Sequence, residues 1–350
     1  MKRPVPQDES LPIDFYSECD SPKTIDAIAQ ALRQGGHQVH LVEATDALPS
    51  WFLTHEVDVV FNIAEGTSGP HRESQVPAIL ESLNIPFTSS SSLTLALALD
   101  KAKTKHVLAY EGIPTPAWQL FATPKTTLNP RLKFPLIVKP NREGSAKGIG
   151  RENVVEDEAR LRAQVARIHA QYQQEALVEE FIDGTELTVG ILGNDALQVL
   201  PILEIDFSSC RHSGEFFYSW RMKEYQGDAA LGLVPTFHCP ARVSPALTAR
   251  VQDVARLAHQ ALGCRDLSRT DIRLRDGIPY VLEVNPLPGL DPHESNFPIM
   301  TTAAGIPYPT LLNRLVELAG ARTRQMAHAQ EPSPHPADWR DELAESRLAP

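Results

Sequence analysis

The stretch RTDIRLRDGIPYVLEVN, residues 269–285, constrains the fold of this chain more than any other. Asp276-Gly277 is a turn pair between two strand-like segments, which reads as a β-hairpin. Val281 and Leu282 look like buried strand, yet Glu283 and Asn285 follow on one shared face. Counting outward from a two-residue turn sets Asp271 opposite Leu282, on the other face. A three-residue turn or a bulge sets Asp271 on the face of Glu283 and Asn285 instead, and that register is the expected one. Two carboxylates and an amide oxygen then converge, a hard-oxygen set suited to Mg²⁺ with further positions left for water and phosphate. The plain alternative is that Glu283 and Asn285 satisfy backbone groups near a strand end.

The rest of the chain alternates helix and strand signals. Residues 21–34 carry a helical period through Ile25, Ile28, Ala29 and Leu32, with Ser21 to cap it, Pro22 in the first turn and Gly35-Gly36 to end it. Segments 37–44, 57–65 and 85–90 read as strands, with a helix at 74–83 between the last two. This alternation predicts an open parallel α/β domain over 12–95. A helix at 93–111, a strand at 134–140, a glycine-bearing loop at 141–149 and a helix at 156–172 follow. Then come a strand–turn–strand at 176–192, a helix at 244–263, the hairpin and a last helix near 308–319. From 321 onward Ala, Pro, His and charge dominate without a period, which predicts a disordered tail over 321–350.

The 350 residues suffice for two or three small domains. No apolar run is long enough to span a bilayer, and the opening MKRPVPQDES is unlike a secretory signal. Cys19, Cys210, Cys239 and Cys264 are scattered without a CxxC pair, as expected of reduced thiols in a cytoplasmic protein. A net charge of −11 argues against general nucleic-acid binding and admits anionic small molecules only where local cations hold them.

Such cations are visible. Lys139 ends an apolar strand, and a buried ammonium needs an anion. The GSAKG loop after it has two glycines that free the backbone to wrap a polyphosphate, although it matches neither a Walker A loop nor GxGxxG. Glu179 and Glu180 follow another apolar strand and Glu186 begins the next; they read either as adenine and ribose acceptors or as solvated turn charges.

The order of these elements resembles an ATP-grasp ligase. Several phrases are similar to the D-alanine–D-alanine ligase family: VFNIAEG (60–66), SQVPAILESLNIPFTSS (74–90), LALDKAKTKHVLAYEGIPTP (97–116), VKPNREGSAKGI (138–149), VEEFIDGTELTVGILG (178–193), the RTD of 269–271 and LEVNPLPGL (282–290). The resemblance covers about 20–320. It implies an α/β protein of the ATP-grasp fold: the N-terminal open parallel α/β domain, a small central lobe (96–178) and a C-terminal mixed-sheet lobe (179–320) carrying the metal site.

The activity implied is ligation of a carboxylate to an amine through an acyl phosphate, with ATP and two Mg²⁺ (or Mn²⁺) as cofactors and amino acids as substrates. By the resemblance, Lys105 and Lys139 hold ATP phosphates, and Lys223 lies near the transferred phosphate. Glu179 accepts from the adenine amino group beside the backbone of Glu180, Phe181 and Ile182, and Glu186 binds the ribose. Asp271, Glu283 and Asn285 hold the metal. Arg269 and the Gly289 N–H stabilise the acyl centre, Ser145 rides on the loop that closes over the substrates, and Ser295 meets the acceptor carboxylate. The family commonly dimerises, so a homodimer is expected, with no nucleic-acid or membrane partner.

The departures fall in the amino-acid site. The family's opening strand and glycine-rich loop, whose glutamate binds the first substrate's ammonium, are not visible. Residues 13–17 are the only candidate strand there, and Glu18 is the candidate replacement. Glu65 stands where the family has a histidine, Glu224 where it has a tyrosine, and one extra residue lies between Gly289 and Pro298. Extra carboxylates favour cationic or amine-bearing groups, so D-alanyl-D-alanine is the first product expected and ligation of other amino acids the second. A non-catalytic nucleotide-binding role is the reading from another class; the full oxygen set and Lys139 argue against it.

Overall fold

The computed structural model describes residues 11–329. Helix α1 (Pro22–Gln34) begins as expected, with the Ser21 hydroxyl accepting from the Thr24 N–H, and ends at Gly35. Short α2 (Leu48–Phe52) and α3 (Arg72–Ser82) follow. The helix expected over 93–111 is two helices, α4 (Ser92–Leu99) and α5 (Lys101–Tyr110). Asp100 between them is extended and its carboxylate accepts from the Lys103 N–H, so an N-cap residue restarts the helix.

Among the described residues the expected parallel N-terminal sheet is reduced to one bridge, between Val60 and Phe87. Segment 37–44 pairs with nothing in a ladder among the described residues, and Leu41 and Val42 are exposed. The reason lies at 13–17, where the candidate first strand is a run of turns closed by Phe15 N–H to Pro12 O and Ser17 N–H to Asp14 O. A strand without neighbours leaves its backbone groups to water and has no ladder to join.

Two sheets carry the remainder. The small one has the order β1-β4-β2-β3, from β1 (Trp118–Phe121), β2 (Leu136–Pro140), β3 (Val154–Val155) and β4 (Ala176–Glu180), with α6 (Glu158–Tyr172) across it. Leu161, Val165 and Ile168 of α6 pack on Phe121, Leu136, Val138 and Val178. The larger sheet runs β10-β9-β5-β7-β8, with β6 (Gln198–Val199) paired to β5 (Thr185–Leu192). Its other strands are β7 (Leu203–Asp206), β8 (Thr236–His238), β9 (Leu267–Arg275) and β10 (Ile278–Asn285), and α7 (Trp220–Glu224) lies between β7 and β8 in the chain. A mixed sheet was expected here; its pairings are antiparallel throughout the described residues.

Helix α8 (Pro245–Ala261) covers one face of the large sheet, and α9 (Asn296–Ala303) and α10 (Tyr308–Ala329) cover the other together with α1. Leu108 of α5 is buried in the α8 layer, so α5 packs with the large sheet although it was assigned to the central lobe. Each such leucine contributes about 1.5–3 kcal/mol by burial. Helix α10 continues to Ala329, past the expected start of the tail at 321; residues 330–350 lie outside the described residues. No described helix is long and apolar enough to cross a membrane.

The hairpin turns at Asp276-Gly277, both with positive φ, as a two-residue turn of the I′ kind. Arg275 pairs with Ile278 and the register holds to Ile272–Val281, then shifts at Leu282 so that Glu283 faces Asp271 and Asn285 faces Arg269. The bulge, not a longer turn, brings the oxygens onto one face.

Candidate functional site

Between the two sheets lies a cavity lined by Lys139 of β2, Glu143 and Ala146 of the glycine loop, Glu179–Ile182, Glu186, Lys223, Asp271 and Glu283. Lys101, Tyr218 and Arg273 join the lining without having been anticipated. Lys139, Glu179, Glu186, Asp271 and Glu283 thus open onto one space, while Ser145, Arg269, Asn285, Gly289 and Ser295 are not among its lining residues.

At the oxygen set, Asp271 accepts from Thr188 Oγ1 (2.7 Å) and from both arms of Arg269 (2.9 and 2.8 Å). The Asn285 amide nitrogen donates to Asp271 Oδ2 (3.2 Å) and to the Arg269 carbonyl (3.3 Å), which orients the amide oxygen away from them. Burial opposes ionisation of Glu283, but Lys101, Lys223, Arg269 and Lys139 together hold it well below the usual carboxylate range. Two carboxylates and an amide oxygen on adjoining strands fit a divalent hard cation.

The lysines sort differently from expectation. Lys105 is buried; its ammonium pairs with Glu179 Oε2 (2.7 Å) and donates to Thr115 Oγ1 (2.6 Å). It lies behind Glu179 and is not among the cavity-lining residues, although a phosphate-holding role is expected of it. Lys101, one helical turn earlier, does line the cavity, 3.4 Å from Glu283 Oε2 and 2.5 Å from the Glu143 carbonyl. Asn141, the first residue of the glycine loop, fixes this end of α5: its side-chain oxygen accepts from the Ala102 N–H (2.9 Å) and its amide donates to Asp100 (2.9 Å).

Lys139 reaches the cavity and also pairs with Glu179. Glu179 is thus gripped by two ammonium groups, which outweigh burial and keep its carboxyl below the usual range. Burial lowers the Lys105 and Lys223 ammonium groups from their ordinary value. Lys223 sits 5.1 Å over the Tyr218 ring.

Glu186 is held by Arg273 (2.7 Å), whose guanidinium stacks 5.6 Å over Phe181. The Glu180 side chain turns to Arg275 (2.9 Å), and the N–H groups of Glu180 and Phe181 are taken by the carbonyls of Ala117 and Pro135. Ser145 lies in the loop with φ 49°, next to Ala146 of the cavity wall. Gly289 faces Ser295, the cap residue of α9: a Cβ at 289 would stand 2.9 Å from Ser295 Oγ.

Glu18 and Glu65 do come together, with Glu73 as a third carboxylate that the sequence reading missed; their oxygens lie within 4.8 Å of one another. Glu18 is paired with Arg72 (2.5 Å) and Lys147 (3.3 Å), which hold it ionised against burial. Burial and the neighbouring Glu18 push Glu65 well above the usual range and raise Glu73 to about 7. Arg72 and Glu73 sit in HRES, just before the similar phrase at 74–90, where neither periodicity nor a known pattern marks them.

The chain is similar to known proteins over most of its length. The family described as D-ala D-ala ligase C-terminus matches residues 107–317. An uncharacterized protein, y4sG, of Sinorhizobium fredii is 34% identical over 85% of this chain and 87% of its own length. A D-alanine–D-alanine ligase of Syntrophobacter fumaroxidans is 36% identical over 75% of this chain and 81% of its own. The crystal structure of the D-alanine–D-alanine ligase from Bacillus anthracis complexed with ATP superposes with a TM-score of 0.70 at 27% identity, covering 88% of this chain and 96% of that one.

Proposed function

The chain belongs to the D-alanine–D-alanine ligase family, and from that premise we propose that its inter-sheet cleft activates an amino-acid carboxylate and joins it to an amine. It is an ATP-dependent ligase that forms C–N bonds, of the D-alanine–D-alanine ligase type. The observation that carries the proposal is the convergence of Lys101, Lys139 and Lys223 with Asp271 and Glu283 on one cavity.

When bound, ATP with divalent cations supplies the phosphoryl group that converts the carboxylate into a good acyl donor. The chain supplies the rest. Asp271, Glu283 and the Asn285 amide oxygen would hold Mg²⁺, two ions by the family pattern. Lys101, Lys139 and Lys223 place fixed positive charge along the polyphosphate, where a partly buried site makes each charge count for more. Glu186, Phe181 and Ile182 provide an acceptor and an apolar edge for ribose and base. Arg269, oriented by Asp271, and the Gly289 N–H face the acyl centre, and Ser295 meets the acceptor. Holding both reactants in line adds to this electrostatic stabilisation.

One observation favours a second reading of substrate. The carboxylates of Glu65 and Glu73, packed beside the Arg72-paired Glu18, suit an amino acid bearing a further amine better than D-alanine. ADP release with Mg-ATP against D- and L-amino acids, singly and in pairs with product mass recorded, tests both readings. A D-alanyl-D-alanine mass supports the first, a product containing a diamino acid the second. Absence of amino-acid-dependent ADP release across a panel containing both classes refutes the ligase assignment of the cleft.

A further inference from the structure

The segment that replaces the expected first strand is bound to the glycine loop along its length. Asp14 is buried; its Oδ2 accepts from the Gly148 N–H (2.6 Å) and from the Tyr172 hydroxyl (2.8 Å). One turn later, Glu18 Oε1 accepts from the Gly144 N–H (2.6 Å). Arg72 closes the arrangement by donating to both Glu18 oxygens and to the Arg142 carbonyl (2.8 Å). Lys147 bridges Glu18 (3.3 Å) and Glu143 (2.5 Å) and lies 5.9 Å over the Phe15 ring. On the far side, the Trp220 indole N–H donates to Ser17 Oγ (2.8 Å), and the Trp220 N–H to the Ile149 carbonyl (3.0 Å).

Two carboxylates of one short segment thus hold two backbone N–H groups at either end of a loop whose carbonyls are taken by Lys101, Arg72, Asn153, Arg167 and Trp220. Gly148 has φ +71°, and a Cβ there would stand 2.6 Å from Pro140, so the N–H that Asp14 takes belongs to a residue that must be glycine. Glu18 spends both oxygens on Arg72 and the loop. The ammonium-binding role expected of it would share those oxygens with Arg72 and Lys147.

We propose that residues 12–18 form a strap that pre-sets the glycine loop over the nucleotide, with Asp14 as its principal positioning residue and Glu18 as the second. Asp14 touches no substrate; it acts through the Gly148 backbone. The loop is held before nucleotide arrives, and the ordering cost of closing it is lowered in advance. The proposal rests on the reading of the cleft as the ATP site, and the test separates the two.

Hydrogen exchange of the full chain without nucleotide reads the strap directly. Asp14→Ala should speed exchange over 143–149 about tenfold or more, the loss of a charge-assisted hydrogen bond. Asp14→Asn retains a side-chain oxygen for Gly148 and Tyr172 and should stay within about threefold of the parent. In turnover, Asp14→Ala should raise KM for ATP several-fold and leave kcat nearly unchanged. Should Asp14→Ala fail to fold, Trp220→Phe cuts the Ser17 tie, and segments 12–18 and 143–149 should then exchange faster together. Unchanged exchange at 143–149 in Asp14→Ala overturns the strap. So does faster exchange with KM and kcat both as in the parent, or a Trp220→Phe effect confined to 215–225. If the parent protein binds no Mg-ATP by calorimetry while the exchange results stand, the nucleotide reading fails and the strap contact does not.

Discussion

Lys101 and Lys105 lie one turn apart on α5, and replacing each by Met should separate function from stability. Lys105 and Glu179 are each 1% exposed and 2.7 Å apart. Removing Lys105 leaves the Glu179 carboxylate in the interior with Lys139 as its one remaining ammonium partner. Breaking a buried pair costs about 3–5 kcal/mol, and the surviving Lys139 contact puts Lys105→Met at the lower end, about 3 kcal/mol. In a chain of 350 residues that corresponds to a fall in Tm of roughly 4 °C.

Lys101→Met removes a cation 3.4 Å from Glu283 at the cavity wall. At an effective dielectric near 20 that pair attracts by about 5 kcal/mol before desolvation is subtracted. Glu283 is the more exposed partner and keeps Lys223 and Arg269 nearby, so much of that attraction is offset and the Tm should move by less than about 2 °C. Its kcat/KM for ATP should fall about 100- to 1000-fold, the scale for removing one preorganised charge-stabilising group. Differential scanning fluorimetry and coupled ADP release measure both. A destabilised Lys101→Met beside a fully stable, inactive Lys105→Met would refute the assignment.

Glu283→Gln should keep the fold and lose turnover about 100-fold or more, since it removes one of two carboxylates from the oxygen set; an unfolded variant on circular dichroism would return Glu283 to a structural role. For Glu73, the folded protein holds the proton up to about pH 7, above the ordinary 4.5. Between those values the folded chain binds more protons than the unfolded one, so stability falls as pH rises from about 4.5 through 7. Glu73→Gln should remove that slope and be stabilised relative to the parent at pH 8 more than at pH 5. Denaturant midpoints that shift equally at both pH values would contradict this.

Local rules made much of the molecule legible. The capped start of α1, the helix and strand of the small lobe, and the Asp276-Gly277 turn follow from capping, periodicity and turn chemistry, all of which act within a few residues. The demand that Asp271, Glu283 and Asn285 share a face was readable as well, because a one-residue slip moves every side chain of a strand to its other face. What the sequence left open was how the slip is made, and the structure answers with a bulge at Leu282.

Three matters were decided only in three dimensions. Lys101 and Lys105 are i and i+4 on one helix and share a face. Which of them meets the cavity depends on how α5 docks against β10 and on Asn141 reaching back from the loop to cap it. The segments at 37–44 and 57–65 have strand composition, but a strand exists only through its neighbour, and the turns at 13–17 remove the first of the series. Glu18 reads in sequence as a free carboxylate near a substrate. Its partners Arg72, Gly144 and Lys147 lie 54 to 129 residues away, and no periodicity or spacing carries information across that distance; only the packing of the chain does.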